Sequence, residues 1–400
     1  MVSYPKDWET KNVKDFGYVV TGNTPSTNVS EYWGSTHTWI TPTDINNKIF
    51  ISSSERRLTE KGYSVSRRLP SGSVLVTCIA SIGKNCILHG QGSCNQQINA
   101  ICVNDKNYNL FIYYLMEFNK KYLENLAGIT ATKIIKKQIF ENIKFIVPPF
   151  PEQQAIADAL TVFDTHINNL AKLIEKKKMI RDGAVEDLVS GKRRLAGFSG
   201  KWEEISFNDS VIPKARIGWQ GLKKDEYLQS GYSYLISGTD FYRGTISFEE
   251  ISFVSKDRYD MDSNIQVKPG DVLVTKDGTI GKVAIVPNID KRATLNSGVF
   301  VFRVIEKVKR KFLYWILRSS LFSNFIDELS AGSTIKHLYQ KDLKQLKFVI
   351  PTSLSEQQAI ADILTAMDKE ISDLEEEKEK YIALKAGAMD DLLTGKIRLV

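Results

Sequence analysis

The alternation of apolar and polar residues predicts two long helices, one in the middle of the chain and one at its carboxyl end. In both stretches the apolar residues recur at alternating steps of four and three. That spacing gives the narrow seam of a coiled coil rather than the broad apolar face of a helix packed on a globular core. The seam residues are Ile156, Leu160, Phe163, Ile167, Leu170 and Ile174 in the first helix, and Ile360, Leu364, Met367, Ile371, Leu374, Tyr381, Ala388 and Leu392 in the second.

Local residues mark both ends of each predicted helix. Pro151 lies at the expected start of the first helix, and Ser355 with Gln358 predicts a capping box at the start of the second. Gly191 and Gly395 are expected just after the last helical turns, where a left-handed backbone conformation favours glycine. A helix of this extent would be about 58 Å long at 1.5 Å per residue.

The two helices are copies of one segment. Residues 152–196 and 356–400 align without a gap and agree at about half of their positions, from E-Q-Q-A-I-A-D to D-L-x-x-G-K-x-R-L. The stretches between them are also paired, because GSVLVTCIASIGKNCIL from Gly72 parallels GDVLVTKDGTIGKVAIV from Gly270. An internal repeat of this length indicates a duplicated unit.

The stretches before each helix predict mixed secondary structure. Short runs of β-branched residues are bounded by Gly, Asn, Asp and Pro, and residues 110–118 and 311–318 have brief helical patterns. We therefore predict an α+β fold with a pseudo-twofold internal repeat, in which two similar globular domains are separated by two long helices. The predicted boundaries are 1–150 and 196–354 for the globular domains, and 151–195 and 355–400 for the helices.

The charges on the two helices favour their pairing. Lys176, Lys177 and Lys178 near the middle of the first helix stand at nearly the same repeat position as Glu375, Glu376 and Glu377 in the second. Opposite charges at such positions select a partner and a register more than they add stability. A globular domain of about 150 residues separates the helices, and such a length allows the second to return antiparallel. We expect an antiparallel coiled coil.

Composition and charge restrict the class of protein. The chain is 42% hydrophobic and 25% charged, as expected for globular domains with a core. No apolar run approaches the roughly 18 residues of a membrane span, and the first residues do not resemble a signal peptide, so we expect a cytoplasmic protein. The net charge is +7, and the positive excess lies in residues 1–151 and 196–354, which favours a polyanionic partner there.

The four cysteines do not have the spacing of a metal site. Cys78, Cys86, Cys94 and Cys102 are eight residues apart and form no C-x-x-C pair. We interpret them as thiols on short strands, which suits a reducing cytosol.

Two short motifs resemble catalytic loops but lack their essential residues. VPPF resembles the Asn/Asp-Pro-Pro-Tyr/Phe loop of amino-methyltransferases, yet Val147 cannot accept a hydrogen bond from an exocyclic amine. DGTIGK lacks the glycine spacing of a phosphate loop, and Val283 follows where a Ser or Thr is needed. We interpret the first as a strand leading into a helix and the second as a turn between strands, and expect no catalytic residue, metal or cofactor.

Basic and amide residues near turns recur in both globular domains and predict DNA binding. Arg, Asn and Gln can read guanine and adenine bidentately, whereas Lys neutralises phosphates and sets the register. The candidates are Arg56, Arg57, Arg67, Arg68, Lys84, Asn95, Gln96, Gln97, Lys133, Lys136 and Lys137 in the first domain, and Lys214, Arg216, Lys223, Lys224, Arg243, Lys282, Asn296, Lys336 and His337 in the second.

The order of these motifs resembles the specificity subunits of type I restriction–modification enzymes. The resemblance rests on PPFPEQQAIADAL and PTSLSEQQAIADIL, DLVSGKRRL and DLLTGKIRL, and WITPTDI, LISGTDF and KPGDVLVTKDGTIGK, and it spans nearly the whole chain. It implies two target-recognition domains that each read half of a split DNA site, and helices that act as spacer. It also implies modification subunits, expected to number two, which carry S-adenosylmethionine, and restriction subunits that use ATP and Mg²⁺.

Two other classes of protein stay open at this point. One is a self-contained DNA methyltransferase or nuclease whose active site is not recognised, against which the incomplete VPPF motif argues. The other is a stand-alone repressor that uses the same DNA-binding domains without partner subunits.

Overall fold

The chain forms two compact units. A computed structural model describes residues 4–46, 48–127, 133–217, 221–331 and 337–399, and at residues 330 and 331 it describes the backbone but not the side chains. Unit 1 comprises Met1–Ala171 and Glu376–Val400, and unit 2 comprises Lys172–Glu375. Each unit therefore contains one globular stretch and about half of each long helix.

Short strands and helices build the first globular stretch. In chain order its strands are β1 (Glu9–Asn12), β2 (Gly17–Thr21), β3 (Trp33–Gly34), β4 (His37–Ile40), β5 (Phe50–Ile51), β6 (Arg57–Leu58), β7 (Val74–Thr77), β8 (Asn85–Leu88), β9 (Gly92–Cys94), β10 (Ile98–Val103) and β11 (Lys144–Val147). Its helices are α1 (Glu60–Ser64), α2 (Asn109–Phe118), α3 (Lys120–Leu126) and α4 (Lys137–Glu141), and the first long helix, α5 (Phe150–Val189), follows. Its 3-10 helices are Val13–Asp15 and Ser30–Tyr32.

The second globular stretch has a similar order of elements. Its strands are β12 (Trp202–Ser206), β13 (Val211–Ala215), β14 (Ser233–Ile236), β15 (Phe241–Tyr242), β16 (Thr245–Ile246), β17 (Ser252–Val254), β18 (Gln266–Val267), β19 (Val272–Thr275), β20 (Val283–Ile285), β21 (Arg292–Leu295), β22 (Val299–Val304) and β23 (Lys347–Pro351). Its helices are α6 (Lys256–Asp260), α7 (Arg310–Leu317) and α8 (Ser320–Ala331), before the second long helix, α9 (Leu354–Leu393). The described 3-10 helices are Phe207–Asp209, Lys224–Glu226, Gly238–Asp240, Ser263–Ile265 and Asp342–Gln345.

The main sheets of the two units share four strands in the same order, and the two units differ at the sheet edges. Unit 1 has a main sheet of order β2-β10-β7-β8-β5, a smaller sheet of order β3-β6-β4-β9, and the pair β1-β11. Unit 2 has a main sheet of order β13-β22-β19-β20, a smaller sheet of order β17-β14-β21-β18, and the pairs β12-β23 and β15-β16. The prediction of two similar α+β stretches is confirmed.

Each core is completed by both long helices. In unit 1, Ile156 and Leu160 from the start of α5 pack with Leu392 and Leu393 from the end of α9. In unit 2, Ile360 from the start of α9 packs with the end of α5.

The helix segments run antiparallel within each unit. In unit 1, Asp164 pairs with Lys385, and His166, later in α5, lies 3.6 Å from Glu377, earlier in α9. In unit 2, Lys177 pairs with Glu370, and Arg181, later in α5, pairs with Asp368, earlier in α9.

The predicted seam is buried or half-buried along both helices. Ile156, Leu160, Ile360 and Leu364 are at most 1% exposed, and every other predicted seam residue is at least partly covered. Since these positions face the opposite helix or the globular core, the periodicity alone located the packing face.

The predicted helix ends are correct in three places and wrong in one. Gly191 and Gly395 follow the last turns with φ of 73° and 72°, as expected for left-handed caps, and Pro151 lies in the first turn of α5. The capping box of Ser355 and Gln358 is wrong. Helix α9 begins at Leu354, so Ser355 is already helical, and the backbone N–H of Glu356 donates instead to Ser353 Oγ at 3.3 Å.

The two motifs that resemble catalytic loops have structural roles. VPPF connects β11 to α5, and Asp277–Lys282 forms the turn between the antiparallel strands β19 and β20. Both interpretations as connections between elements are confirmed.

The four cysteines are buried and free, and lie on or next to strands of unit 1. Across the described residues, no group of three or more His, Cys, Asp and Glu side chains could hold a metal ion. No helix in the described ranges carries an apolar stretch that could cross a bilayer.

Candidate nucleic-acid interface

Backbone hydrogen bonds gather four loops of unit 1 at one end of its main sheet. Gly22 N donates to Ile98 O at 3.0 Å, and Cys78 N donates to Gln97 O at 2.7 Å. Ala80 N donates to Lys133 O at 3.0 Å. We call the surface formed by residues 21–24, 78–81, 95–97 and 133–135 the unit 1 edge. It lies where β2 and β7 end and β10 begins.

The predicted amide residues occupy this edge in different ways. Asn95 is buried, and its Oδ1 accepts from Gln97 N at 3.0 Å while its Nδ2 donates to Gln97 Oε1 at 2.9 Å. Asn95 therefore shapes the loop. Gln96 is exposed, and its Oε1 accepts from Thr24 Oγ1 at 2.5 Å, which leaves its amide N–H groups facing solvent.

Basic residues flank the amides. Arg67 donates from Nη1 to Thr21 O at 2.7 Å, so its guanidinium is held against the end of β2. Lys133 and Lys136 are exposed, and Lys137 lies 3.3 Å from Glu141. The unit 1 edge thus offers amide and cationic donors to base edges and phosphates.

Three further candidates lie on the smaller sheet of unit 1 or next to it in the sequence. The guanidinium of Arg56 stacks over the ring of Trp33, with 3.7 Å between Cζ and the ring centroid. Arg57 donates from Nη2 to Thr36 O at 2.9 Å, and Arg68 lies 5.0 Å above the ring of Tyr63.

The corresponding loops of unit 2 have the same backbone pattern. Lys276 N donates to Gly298 O at 2.9 Å, as Cys78 N does to Gln97 O, and Leu338 N donates to Lys276 O at 2.8 Å, as Ile135 N does to Cys78 O. We call residues 215–217, 276–279, 296–298 and 337–339 the unit 2 edge. The side chains here differ from those of the unit 1 edge.

Asn296 and His337 lie on the unit 2 edge. Asn296 Oδ1 accepts from Ser297 N at 2.7 Å and from the Tyr227 hydroxyl at 3.4 Å. His337 Nδ1 lies 2.6 Å from Asp277 Oδ1. Lys336 falls outside the described residues.

Arg216 corrects the predicted set of DNA contacts. Its side chain is 3% exposed, with Nε donating to Leu295 O at 3.0 Å, and burial lowers the pKa of the guanidinium. Because its guanidinium is buried and bonded to a backbone carbonyl, Arg216 cannot meet DNA directly in this structure.

Three other lysines of unit 2 lie near this edge or on the loop after it. Lys214 is half-buried on β13, whereas Lys223 and Lys224 are exposed at the start of a 3-10 helix. That helix is anchored by Glu226, which accepts from Arg258 Nε and Nη2 at 2.5 Å each. The guanidinium holds the pKa of Glu226 at about 2.

Lys84 and Lys282 follow equivalent turns, and each lines a cleft. Lys84 lines a cavity of about 290 Å³ in unit 1 together with Asp164 and Lys385 of the long helices. Lys282 lines a cavity of about 510 Å³ in unit 2 together with Arg243 and Arg318 of the globular stretch. Lys84 therefore faces the long helices, whereas Lys282 faces a cleft of the globular stretch.

Arg243 belongs to a charge cluster on the long helices rather than to the unit 2 edge. It lies in a left-handed backbone conformation with φ of 51°, and its Nη1 is 2.9 Å from Glu375 Oε2. Lys178 Nζ is 2.5 Å from the other oxygen of Glu375. The buried Glu375 carboxylate thus joins a hairpin of the globular stretch to both helices.

The other residues proposed for helix pairing have separate partners or face solvent. Lys177 pairs with Glu370 at 2.6 Å in unit 2, and Glu377 lies 3.6 Å from His166 in unit 1. Lys176 and Glu376 are exposed.

Sequence reasoning missed a repeated ionic contact that closes each unit. Arg398 donates to Glu152 at 2.5 and 2.7 Å in unit 1. Arg194 donates to Glu356 at 2.7 and 2.9 Å in unit 2. The arginine and the glutamate of this contact occupy the same positions in the two repeats. Their repetition in the sequence could therefore have identified the contact.

Sequence reasoning also missed the aromatic rings that lie beneath arginine side chains. Trp33 and Trp39 support Arg56, while Arg292 lies 5.1 Å above the ring of Tyr232 on the smaller sheet of unit 2. The two members of each pair are far apart in the sequence, so no local pattern predicts them.

Comparison with known proteins identifies relatives along the whole chain. The family model of the type I restriction modification DNA specificity domain matches residues 5–178 and, a second time, residues 202–384. The specificity subunit of the type I restriction enzyme MjaVIII from Methanocaldococcus jannaschii is 28% identical over 418 residues, which cover 99% of this chain and 94% of that protein.

Solved structures with this fold include the S subunit of a type I restriction–modification system from M. genitalium. It matches with a TM-score of 0.62 at 17% identity, over 96% of each chain. A chain solved in work on complex assembly and conformational transition of the type I R-M system matches with a TM-score of 0.61 at 14% identity, over 99% of this chain and 100% of that one.

The fold and the two edges define a tandem recognition protein, in which one backbone arrangement occurs twice with different exposed side chains. The duplicated match to the family model agrees with this class. The chain belongs to the family of type I restriction–modification DNA specificity subunits.

Proposed function

We propose that each unit of this specificity subunit reads one half of a bipartite, asymmetric DNA site through its edge. The observation that carries the proposal is the equivalence of the edges. The backbone hydrogen bond from Cys78 N to Gln97 O recurs in unit 2 from Lys276 N to Gly298 O. The same loops therefore present different donors and acceptors in the two units, as a reader of two unlike half-sites requires.

Catalysis belongs to partner subunits in this proposal. Modification subunits would bring S-adenosylmethionine and methylate adenine, and restriction subunits, where present, would use ATP and Mg²⁺. The relatives are named as specificity subunits, and one structural neighbour comes from work on assembly of the type I complex. Four buried free thiols are compatible with the reducing cytoplasm, where the complex would act.

Two equivalent apolar grooves on the long helices support two modification subunits per chain. The first, about 560 Å³ in unit 1, is lined by Phe163, Leu384, Gly387 and Leu392. The second, about 500 Å³ in unit 2, is lined by the residues at the same repeat positions, which are Met367, Ile180, Gly183 and Leu188.

Because the apolar groove occurs twice in the chain, we expect two copies of the protein that binds it. Each groove has a glycine at which an added Cβ would meet open space, so both are accessible. Exposed apolar surface of this kind marks interaction sites. We assign each groove to one modification subunit.

Exchange of one recognition stretch tests the division of labour. Residues 1–150 are replaced by those of a relative with a different motif, and the chain is coexpressed with its modification subunits. Mapping of methylated adenines in host DNA should show one half-site changed and the other retained. A change in both halves would contradict the proposal.

Two controls address the alternative classes. The purified chain alone, incubated with labelled S-adenosylmethionine and DNA, should transfer no label, whereas a self-contained methyltransferase would. A tagged chain should copurify with modification subunits from its host, whereas a stand-alone repressor would not.

A further inference from the structure

We propose that Arg56 reads a guanine in the half-site of unit 1 and thereby determines specificity at that base pair. The inference rests on the proposed function, because it takes unit 1 to face DNA. It goes further by assigning one base to one side chain.

The ring of Trp33 holds the Arg56 guanidinium in place. Its Cζ lies 3.7 Å from the centroid of the Trp33 ring and 5.4 Å from that of Trp39. The two indoles meet edge to face with centroids 5.0 Å apart. Both are held in place, because Trp33 Nε1 donates to Ser26 O at 3.2 Å and Trp39 Nε1 donates to Asn23 O at 3.0 Å.

The donors of Arg56 remain unused although its position over the Trp33 ring is restricted. Its side chain is exposed and makes no hydrogen bond or ion pair within the described part of the chain. Its neighbours differ, since Arg57 donates to Thr36 O and Arg67 donates to Thr21 O. Arg56 is therefore ordered by stacking while its N–H groups face solvent.

A chain of hydrogen bonds places this stack beside the unit 1 edge. Asn23, whose carbonyl receives Trp39 Nε1, donates its backbone N–H to Cys94 O at 3.0 Å. The next residue, Thr24, donates from Oγ1 to Gln96 Oε1 at 2.5 Å. Arg56 and Gln96 are thus supported by the same short segment.

A planar guanidinium held by an aromatic ring suits a base better than a phosphate. Guanine presents O6 and N7 as two coplanar acceptors in the major groove, and arginine matches them bidentately. Holding the guanidinium against a ring before binding reduces the rotamer freedom lost in the complex. A phosphate, in contrast, can be approached by a flexible lysine from many directions.

The competing explanation is that Arg56 only covers the two tryptophans. In that case its loss would affect stability or overall affinity, but not the choice of base. The two explanations are distinguished by base preference, which a covering role cannot alter.

The test uses the full chain assembled with its modification subunits and a DNA library randomised across the half-site of unit 1. Methylated molecules are sequenced for the wild type and for Arg56→Ala and Arg56→Lys. We expect Arg56→Ala to reduce discrimination at one G·C pair by at least about tenfold, with the other positions and the other half-site unchanged. Arg56→Lys should reduce it less, because the charge is kept and the fork is lost.

Lys106→Ala is the control, since Lys106 is an exposed cation of the same unit and follows the end of β10 that lies opposite the unit 1 edge. It should leave the preferred guanine unchanged. If Arg56→Ala does not fold, Trp33→Phe and Trp33→Leu are compared instead. Trp33→Phe keeps a ring beneath Arg56 and should keep the motif. Trp33→Leu should relax the same position.

Three results would overturn the assignment. A half-site of unit 1 without any G·C pair would exclude it, as would an unchanged motif in Arg56→Ala and Arg56→Lys. Uniform weakening across all sequences would show a phosphate contact instead. If the wild-type complex recognises no bipartite site, the proposed function itself fails, which is a separate outcome.

Discussion

Arg398, near the carboxyl end, donates two hydrogen bonds to the buried carboxylate of Glu152 at the start of the first long helix. Trp8 Nε1 donates to the same carboxylate at 3.2 Å. Unit 2 repeats the contact with Arg194 and Glu356. The start of each long helix is thus fastened by the segment that follows the other long helix.

Loss of one arginine should therefore destabilise one unit. Arg194→Ala leaves the Glu356 carboxylate, which is 0% exposed, without its cation. We expect the free energy of unfolding of unit 2 to fall by about 2–3 kcal/mol, since an unpaired buried charge is costly. Denaturant titration followed by tryptophan fluorescence measures the loss.

Lys192→Ala is the control for Arg194→Ala, because Lys192 is 80% exposed and lies 3.7 Å from Asp187. It should change stability by less than about 0.5 kcal/mol. Equal effects of both substitutions would show that the contact with Glu356 is energetically unimportant.

Glu375 should matter more than the glutamates beside it. Its carboxylate is 11% exposed and receives both Lys178 and Arg243. Glu375→Gln should lower the free energy of unfolding by about 1–3 kcal/mol, because two cations lose their counter-charge. The exposed Glu376→Gln should have almost no effect, and a larger loss there would place the stabilising charge elsewhere.

The four cysteines should be unreactive in the folded protein. Burial raises the pKa of Cys78 and Cys86 to about 12, and it also raises the pKa of Cys94. At pH 8 these groups remain thiols, and the reactive thiolate is scarce. A chromogenic disulfide reagent should label none of the four before denaturation and all four after it. Rapid labelling of the native protein would contradict their burial.

Charge near the unit 1 edge should contribute affinity through phosphates. Changing Lys133, Lys136 and Lys137 together to Ala should weaken binding by about tenfold and reduce the salt slope by about one unit for each lost contact. Binding of a fluorescent duplex at several salt concentrations measures both quantities.

The control is Lys106→Ala. Lys106 is exposed and follows the end of β10 that lies opposite the unit 1 edge. Its loss should leave the salt slope unchanged. An unchanged slope in the triple variant would place DNA elsewhere.

The long helices should set the gap between half-sites. Seven residues inserted after Ala171 and seven after Glu375 fall at the division between the units, so the ion pairs described within each unit are kept. The added length is about 10 Å at 1.5 Å per residue, or about three base pairs at 3.4 Å each. Methylation mapping should show a longer gap between unchanged half-sites, and an unchanged gap would contradict the spacer role.

The sequence was most informative where a pattern is long and repeated. The period of the seam continues over both helices, so the sequence alone assigns Ile156 and Ile360 to buried faces, and both are buried. The turns before Lys84 and Lys282 could be matched because they occur twice.

The sequence was least informative where side chains from separate elements meet. Arg216 is of a residue type that commonly contacts DNA, but its position in the fold buries it. Arg56 is distinguished from Arg57 by tertiary contacts, since Arg56 lies over Trp33 whereas Arg57 donates to Thr36 O. Propensity and charge describe single residues, and these outcomes depend on tertiary neighbours.

The division of the chain into units also has a consequence for the order of folding during synthesis. Unit 2 is one continuous stretch, Lys172–Glu375, whereas unit 1 needs Leu392, Leu393 and Arg398 from the last part of the chain. Domains usually complete their folding in the order in which they leave the ribosome. We therefore expect the amino-terminal unit to be finished last, after its neighbour is already complete. A ribosome that stops short of Leu392 would release a chain with one finished unit and one that still lacks part of its core.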